Sequence, residues 1–307
     1  MSQANRIEIG ISLHRVDDVA ASAREFEDLG YDYVSSGEHV SFNVPTSNSF
    51  ISLAVAAGAT TRIRVVNSIA LVPLYPAALL AKLGAALDVA SGGRFELGVG
   101  IGGEIPREFE ACGVPVKERG PRTNEALEVI RRLWTEPSVT FEGRFNRLTD
   151  VSIAPQPVQR PHPRIWVSGR KEAAMARTAR YGDGWLPYMY TPEMLASSVA
   201  RIAELRAESD RAGDPVRAGL FAFFCVHEDR DTANRMAAER LSKQYAQDFS
   251  TLAGRYALVG TPEDVRVRLG EFVDAGARTV IVSSACAADY VDENHRLFAN
   301  EVLPAFR

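Results

Sequence analysis

The chain has 307 residues, enough for a large core, and carries 35 Lys and Arg against 39 Asp and Glu, a formal net charge of −4. No long basic run stands out, which argues against a general nucleic-acid or anionic-membrane surface, and no apolar run approaches the roughly 18 residues of a membrane span. Cys112, Cys225 and Cys286 lie far apart with no CxxC pair, and the start, MSQANRIEIG, lacks a signal peptide's charged head and apolar core, so a cytoplasmic protein with reduced thiols is expected.

In chain order, residues 7–13 read as a strand ending at His14, and 16–29 as a helix with Val19, Ala23, Phe26 and Leu29 on one face. Residues 31–35 form a second strand, followed by Gly37-Glu38-His39 and a polar loop, 41–49, longer than a tight connection needs. After a helix at 50–59, residues 63–104 read as one complete strand, helix, strand unit. The β-branched run 63–69 is stopped by Pro73 and Pro76. A helix from Ala77 turns Leu79, Leu80, Leu83, Leu87 and Val89 inward, leaves Lys82 and Asp88 for solvent, and ends at Ser91-Gly92-Gly93; Phe95, Leu97 and Val99 form the second strand. Such a pair is parallel, joined by a right-handed crossover. Gly98, Gly100, Gly102 and Gly103 therefore fall at or beyond a strand's C-terminal end, where parallel α/β folds bind ligands.

Further on, 107–112 is a short helical turn and 117–134 a full helix. Residues 135–163, with strand-like 139–141, a turn at Glu142-Gly143-Arg144 and prolines at 155, 157, 161 and 163, read as a hairpin insertion near the C-terminal face of the strands. The rhythm resumes with strands at 164–167, 184–186, 216–226 and 279–283. Helices follow at 171–181, 192–212, 232–252, 261–275 and 290–303, the fourth announced by Thr261 as cap and Pro262 at its first position. Eight strands, each followed by helix, predict a single (β/α)₈ TIM barrel over residues 1–307, with an open doubly wound sheet as the alternative.

In a barrel the useful residues stand just past each strand: His14, Glu38, His39, Ser68, Ile69, 100–104, 168–171, Trp185, Tyr188, His227 and Ser283. His39 beside Glu38 is the acid/base candidate, since a neutral imidazole near pH 7 donates or accepts; the alternative is a capping histidine in a loop. His14 lines the pocket or closes a hydrogen bond. Gly98-x-Gly100-x-x-Gly103 matches a dinucleotide fingerprint by letter, but it comes late and lacks an acidic strand end, so its glycines are assigned to close approach of a flat cofactor or, failing that, to positive φ. Ser168-Gly169-Arg170-Lys171, between strand and helix, suits an anion such as a cofactor phosphate; the alternative is a serine cap with two solvated cations. HExxH, GxxxxGK[ST], GxSxG and zinc spacings are missing, and no metal is expected.

Ser36-Gly37-Glu38-His39-Val40, Leu87-Asp88-Val89-Ala90-Ser91-Gly92-Gly93-Arg94-Phe95, Leu97-Gly98-Val99-Gly100-Ile101-Gly102, Glu108-Phe109-Glu110-Ala111-Cys112-Gly113-Val114-Pro115, Pro155-Gln156-Pro157-Val158-Gln159-Arg160-Pro161 and Gly182-Asp183-Gly184-Trp185 together resemble the luciferase-like monooxygenase superfamily. Within it the chain is most similar to coenzyme F420-dependent oxidoreductases, which implies a TIM barrel passing hydride between a deazaflavin and a small organic substrate. The resemblance puts His39 at the reactive face of the ring with Glu38 beside it. It also implies a non-prolyl cis bond or bulge at Ser68-Ile69 behind the ring, Gly100, Gly102 and Gly103 approaching the cofactor, and Ser168, Gly169 and Arg170 at its phosphate. His14 and Trp185 are expected in the substrate pocket. The chain departs from many members in having Glu38 before the histidine and Phe42 in the loop beyond, and in setting Glu104, the candidate proton donor, behind Gly103. A reduced-FMN-dependent monooxygenase on the same scaffold is the alternative, a flavin-binding paralogue without turnover a third. A homodimer is expected.

Overall fold

Short apolar runs closed by glycine or a polar residue become the strands of the computed structural model, which describes residues 7–307. In order the elements are β1 (Glu8–Ser12), α1 (Val19–Asp28), β2 (Tyr33–Ser36), α2 (Ser49–Ala59), β3 (Arg64–Asn67), β4 (Ala70–Leu71), α3 (Ala77–Ala90), β5 (Phe95–Gly100), α4 (Pro106–Ala111), α5 (Arg119–Thr135) and β6 (Val139–Glu142). There follow β7 (Arg147–Val151), β8 (Ile165–Val167), α6 (Glu172–Tyr181), β9 (Gly184–Trp185), α7 (Pro192–Ala207), β10 (Arg217–Val226), α8 (Arg230–Tyr245), α9 (Leu252–Tyr256), β11 (Leu258–Gly260), α10 (Pro262–Asp274), β12 (Thr279–Ser284) and α11 (Val291–Leu297). The expectation of a leaderless start falls mainly on residues 1–6, outside the described residues. Among those described, no helix is long and apolar enough to cross a membrane.

Parallel pairing runs β10-β12-β1-β2-β3-β5-β8-β9 and closes from β9 back to β10, so the eight expected strands form a closed barrel. The predicted strand at 63–69 is two pieces: β3 stops at Asn67, the Ser68–Ile69 peptide is cis, and β4 resumes beside β5. β11 adds an unexpected strand along the end of β10; at three residues it is too short to show alternation in sequence. Thr261 and Asp264 form a reciprocal capping box at the start of α10. The last helix changes pitch, α11 passing into a π segment, Phe298–Val302.

Inside the barrel, Tyr33, Val66, Trp166, Leu186 and Ile281 pack together. Below them, at the N-terminal end, buried Glu96 accepts from Trp166 Nε1 at 2.6 Å, from Tyr33 Oη at 3.3 Å and from Arg164 at 3.0 Å, and meets Arg64 at 2.9 Å; Glu8 pairs with Arg217 at 2.8 Å.

Two expectations are corrected here. The insertion does not lie over the C-terminal face. It leaves a helix and enters a strand, so it is rooted at the opposite end, where Val158 N and Gln159 Nε2 donate to Asp88 near the end of α3 at 2.6 and 2.7 Å, and its hairpin tip runs back along the outside of α5, with Phe145 N and Arg144 N donating to Glu125. For the same reason Asp88 is fully buried rather than solvated, and the α3 face is rotated from the expected one, with Leu79 and Val89 exposed.

Candidate active site

The C-terminal strand ends open into a cavity of about 430 Å³. β2 ends in Ser36, and the turn after it brings His39 to the cavity wall, with Phe42 stacked on its imidazole at 4.1 Å and an interplanar angle of 4°. Glu38 also touches the cavity, but its carboxylate is consumed by structure. It accepts from Leu71 N at 2.9 Å, Ser49 Oγ at 2.8 Å and Tyr75 Oη at 3.0 Å, with Asn48 Nδ2 and Ser49 N at 3.3 Å. The carboxylate that meets His39 is Glu108, fully buried on α4, 3.2 Å from His39 Nδ1; the same Oε2 takes Val40 N–H at 3.1 Å. Sequence reasoning missed this partner because 69 residues separate the pair.

With Nδ1 turned to the Glu108 carboxylate, His39 presents Nε2 as the nitrogen able to take or give a proton. Glu104 lines the cavity and accepts a short hydrogen bond from Tyr188 Oη; burial and that carboxylate together hold the phenol well above its ordinary pKa. His14 is also on the wall, 3.6 Å from Asp292, and burial lowers its pKa.

The glycines have a more local explanation than a cofactor. A Cβ on Gly98 would lie 1.8 Å from Asn67 O, and one on Gly100 would lie 1.7 Å from Ile69 Cδ1, so both allow β5 to press against the β3–β4 turn. Gly102 and Gly103 have φ of +55° and +105°. Gly100, Gly102, Ser68 and Ile69 still line the cavity, whereas Gly103 backs onto Arg119, away from it.

On the far side Ser168, Gly169, Arg170 and Lys171 lead into α6, whose N-cap position has no side-chain cap. Arg170 lies over the Tyr188 ring at 4.9 Å. Trp185 is not in the pocket. Alternation along β9 sends Leu186 to the cavity, while Trp185 is fully buried against Tyr190 and donates from Nε1 to Gly169 O at 3.1 Å. Arg240, Gln244 and Tyr245 from α8 complete the wall. Their helix buries Ala233, Ala237 and Leu241 on its apolar face, and only the i, i+4 spacing of Arg240 and Gln244 hinted at a second shared face.

A closed (β/α)₈ barrel with a carboxylate-paired histidine on the wall of a cavity at its C-terminal end has the form of a barrel oxidoreductase. The model of the luciferase-like monooxygenases matches residues 2–279, and the chain belongs to that family. It is 30% identical over 223 residues to an FMNH(2)-dependent dimethylsulfone monooxygenase of Pseudomonas putida, covering 71% of this chain and 60% of that one. The chain thus spans about three-fifths of the length of the curated relatives it matches. Among solved structures, monooxygenase RslO1 from Streptomyces bottropensis superposes with a TM-score of 0.84 at 26% identity, covering 98% of this chain and 100% of that one. An F420-dependent secondary alcohol dehydrogenase in complex with an F420-acetone adduct gives a TM-score of 0.86 at 20% identity, covering 98% and 99%, a likeness of fold. The family thus includes relatives that use FMN and has fold neighbours that use F420.

Proposed function

We propose that this protein is a coenzyme F420-dependent oxidoreductase acting on a small organic substrate. One observation carries the choice: Arg170, Lys171 and Arg240 line the cavity, and none has a carboxylate partner among the described residues. Three unanswered cations in a chain of net charge −4 suit a ligand with more negative charge than a single phosphate, as the oligoglutamate tail of F420 supplies.

The donor set fits such a group. Ser168, Gly169 and the uncapped start of α6 offer hydroxyl and N–H donors to a phosphate, with Arg170 and Lys171 beside them for the tail. Ile69 and Gly100 give a flat, apolar support for a ring. When bound, the deazaflavin supplies hydride transfer. His39, oriented by Glu108, handles the accompanying proton at Nε2, and Glu104 with Tyr188 forms a second proton-bearing pair on the opposite wall. Exposed Ile51 and Val55 on α2 and Leu79 on α3 support a homodimer.

The 30%-identical relative favours a second reading, a reduced-FMN-dependent monooxygenase. Fluorescence titration with F420 and with FMN, followed by oxygen uptake, separates the two: F420 binding without oxygen consumption supports the first, and preference for reduced FMN with oxygen uptake overturns it. His39→Ala is expected to lower kcat about 10²–10⁴-fold. Unchanged turnover in that variant would remove His39 from the chemistry, and binding without any turnover would favour the non-catalytic paralogue.

A further inference from the structure

Of the three cations on the cavity wall, Arg240 stands apart. Arg170 and Lys171 share the loop between β8 and α6, whereas Arg240 comes from α8, the helix that follows β10, two strands further round the barrel. It sits toward the end of β12, where its charge reaches the thiol of Cys286. That thiol does not answer it. Cys286 is fully buried, is already hydrogen-bonded to Cys225, Ser284 and Asn294, and has no hydrogen bond to Arg240.

A guanidinium stays charged throughout the working pH range and offers only donors, so its demand has a single sign. Other half-buried arginines meet that demand from within the chain: Arg64 and Arg164 on Glu96 at 2.9 and 3.0 Å, Arg211 on Asp183 and Arg217 on Glu8, both at 2.8 Å. Arg230, at the start of α8 itself, pairs with Asp264. Arg240 is half-buried too, yet it has neither a carboxylate nor a carbonyl partner among the described residues. The wall beside it is aromatic. Phe221 and Phe223 pack edge to face at 5.6 Å, and Phe223 meets Tyr245 in the same way at 6.0 Å.

We infer that Arg240 binds the carboxylate of the substrate, and that the substrate is a small organic acid whose apolar or aromatic body rests against Phe221 and Phe223. A carboxylate matches one guanidinium in charge and in planar, two-point geometry. A cofactor phosphate has its own donors at residues 168–171, which leaves Arg240 to the second ligand of the cavity. The inference deepens the proposed function and rests on it for the cavity being where substrate binds; Arg170 and Lys171 remain for the cofactor tail.

The test uses the full chain, with calorimetric titration of benzoate and of benzyl alcohol and fluorescence titration of F420. Benzoate is expected to bind about tenfold or more tighter than benzyl alcohol. Arg240→Gln should weaken benzoate about 10–100-fold and leave benzyl alcohol, F420 and the urea midpoint unchanged, and Arg240→Lys should restore part of the loss. Gln244→Glu keeps the arginine but gives it a carboxylate one turn away; it should also weaken benzoate, and it decides the matter if Arg240→Gln disturbs the fold. Benzoate binding no tighter than benzyl alcohol, no binding of either probe, or benzoate affinity kept in Arg240→Gln would each overturn the inference. Loss of F420 together with benzoate in Arg240→Gln would overturn it too, by giving Arg240 to the cofactor. If F420 does not bind at all while benzoate still depends on Arg240, the cofactor reading falls and the acid site stands.

Discussion

At the N-terminal end of the barrel Glu96 meets Arg64 at 2.9 Å and Arg164 at 3.0 Å, and Glu8 meets Arg217 at 2.8 Å, whereas at the C-terminal end Arg170, Lys171 and Arg240 face a cavity with no carboxylate partner among the described residues. Both ends gather basic side chains over the same apolar plug, yet only one neutralises them from within the chain. Buried Glu96 is costly unless answered, so the closed end is arranged for stability, whereas Arg170 and Lys171 are exposed to solvent and stay available to an anionic ligand.

The largest test of that contrast breaks the closed end. Glu96→Ala strands Arg64 and Arg164 and frees Trp166 Nε1, and urea unfolding should show a loss of about 3–5 kcal/mol, with F420 affinity of the folded protein retained. At the open end the sign reverses. Removing Arg170 and Lys171 together should weaken F420 about 10–100-fold in a fluorescence titration, while the urea midpoint stays nearly unchanged. A pH-resolved effect, modest over any one pH unit, comes from His295. Its folded pKa lies below the unfolded value of 6.5, so the unfolded chain takes up the proton first, and stability is lost as pH falls from 6.5 toward about 3. The slope from this group is about 1.4 kcal/mol per pH unit, and His295→Gln should remove it in unfolding curves taken at successive pH values.

The barrel was legible because alternating strand and helix periods repeat eight times, and because each loop after a strand had to fall at one end. That placed His39, Ser68, Ser168 and Gly169 together without any contact being known. Two of the errors share a cause, which is that partners came from far along the chain. Asp88 looks solvated on its own helix until residues 158 and 159 cover it, and Glu38 looks like the partner of His39 until Glu108 arrives from α4. Trp185 was misplaced because a two-residue strand gives no alternation to count, so Leu186 took the inward position. The insertion could have been assigned correctly, since a segment running from helix to strand belongs at the N-terminal end.

The contact of β5 with the turn between β3 and β4 has a consequence for anyone wishing to redesign this enzyme. At Gly98 a methyl group would sit 1.8 Å from a carbonyl oxygen, and at Gly100 it would sit 1.7 Å from Ile69. Backbone cannot yield as a flexible side chain does, so Gly98 is closed to evolution one step at a time, and Gly100 opens only if Ile69 shrinks in the same step. Variation of the cavity is therefore channelled to α8 and residues 42–47, where a library of substitutions at Gln244, Tyr245 and Val44 explores it without touching the part of the barrel that shapes it.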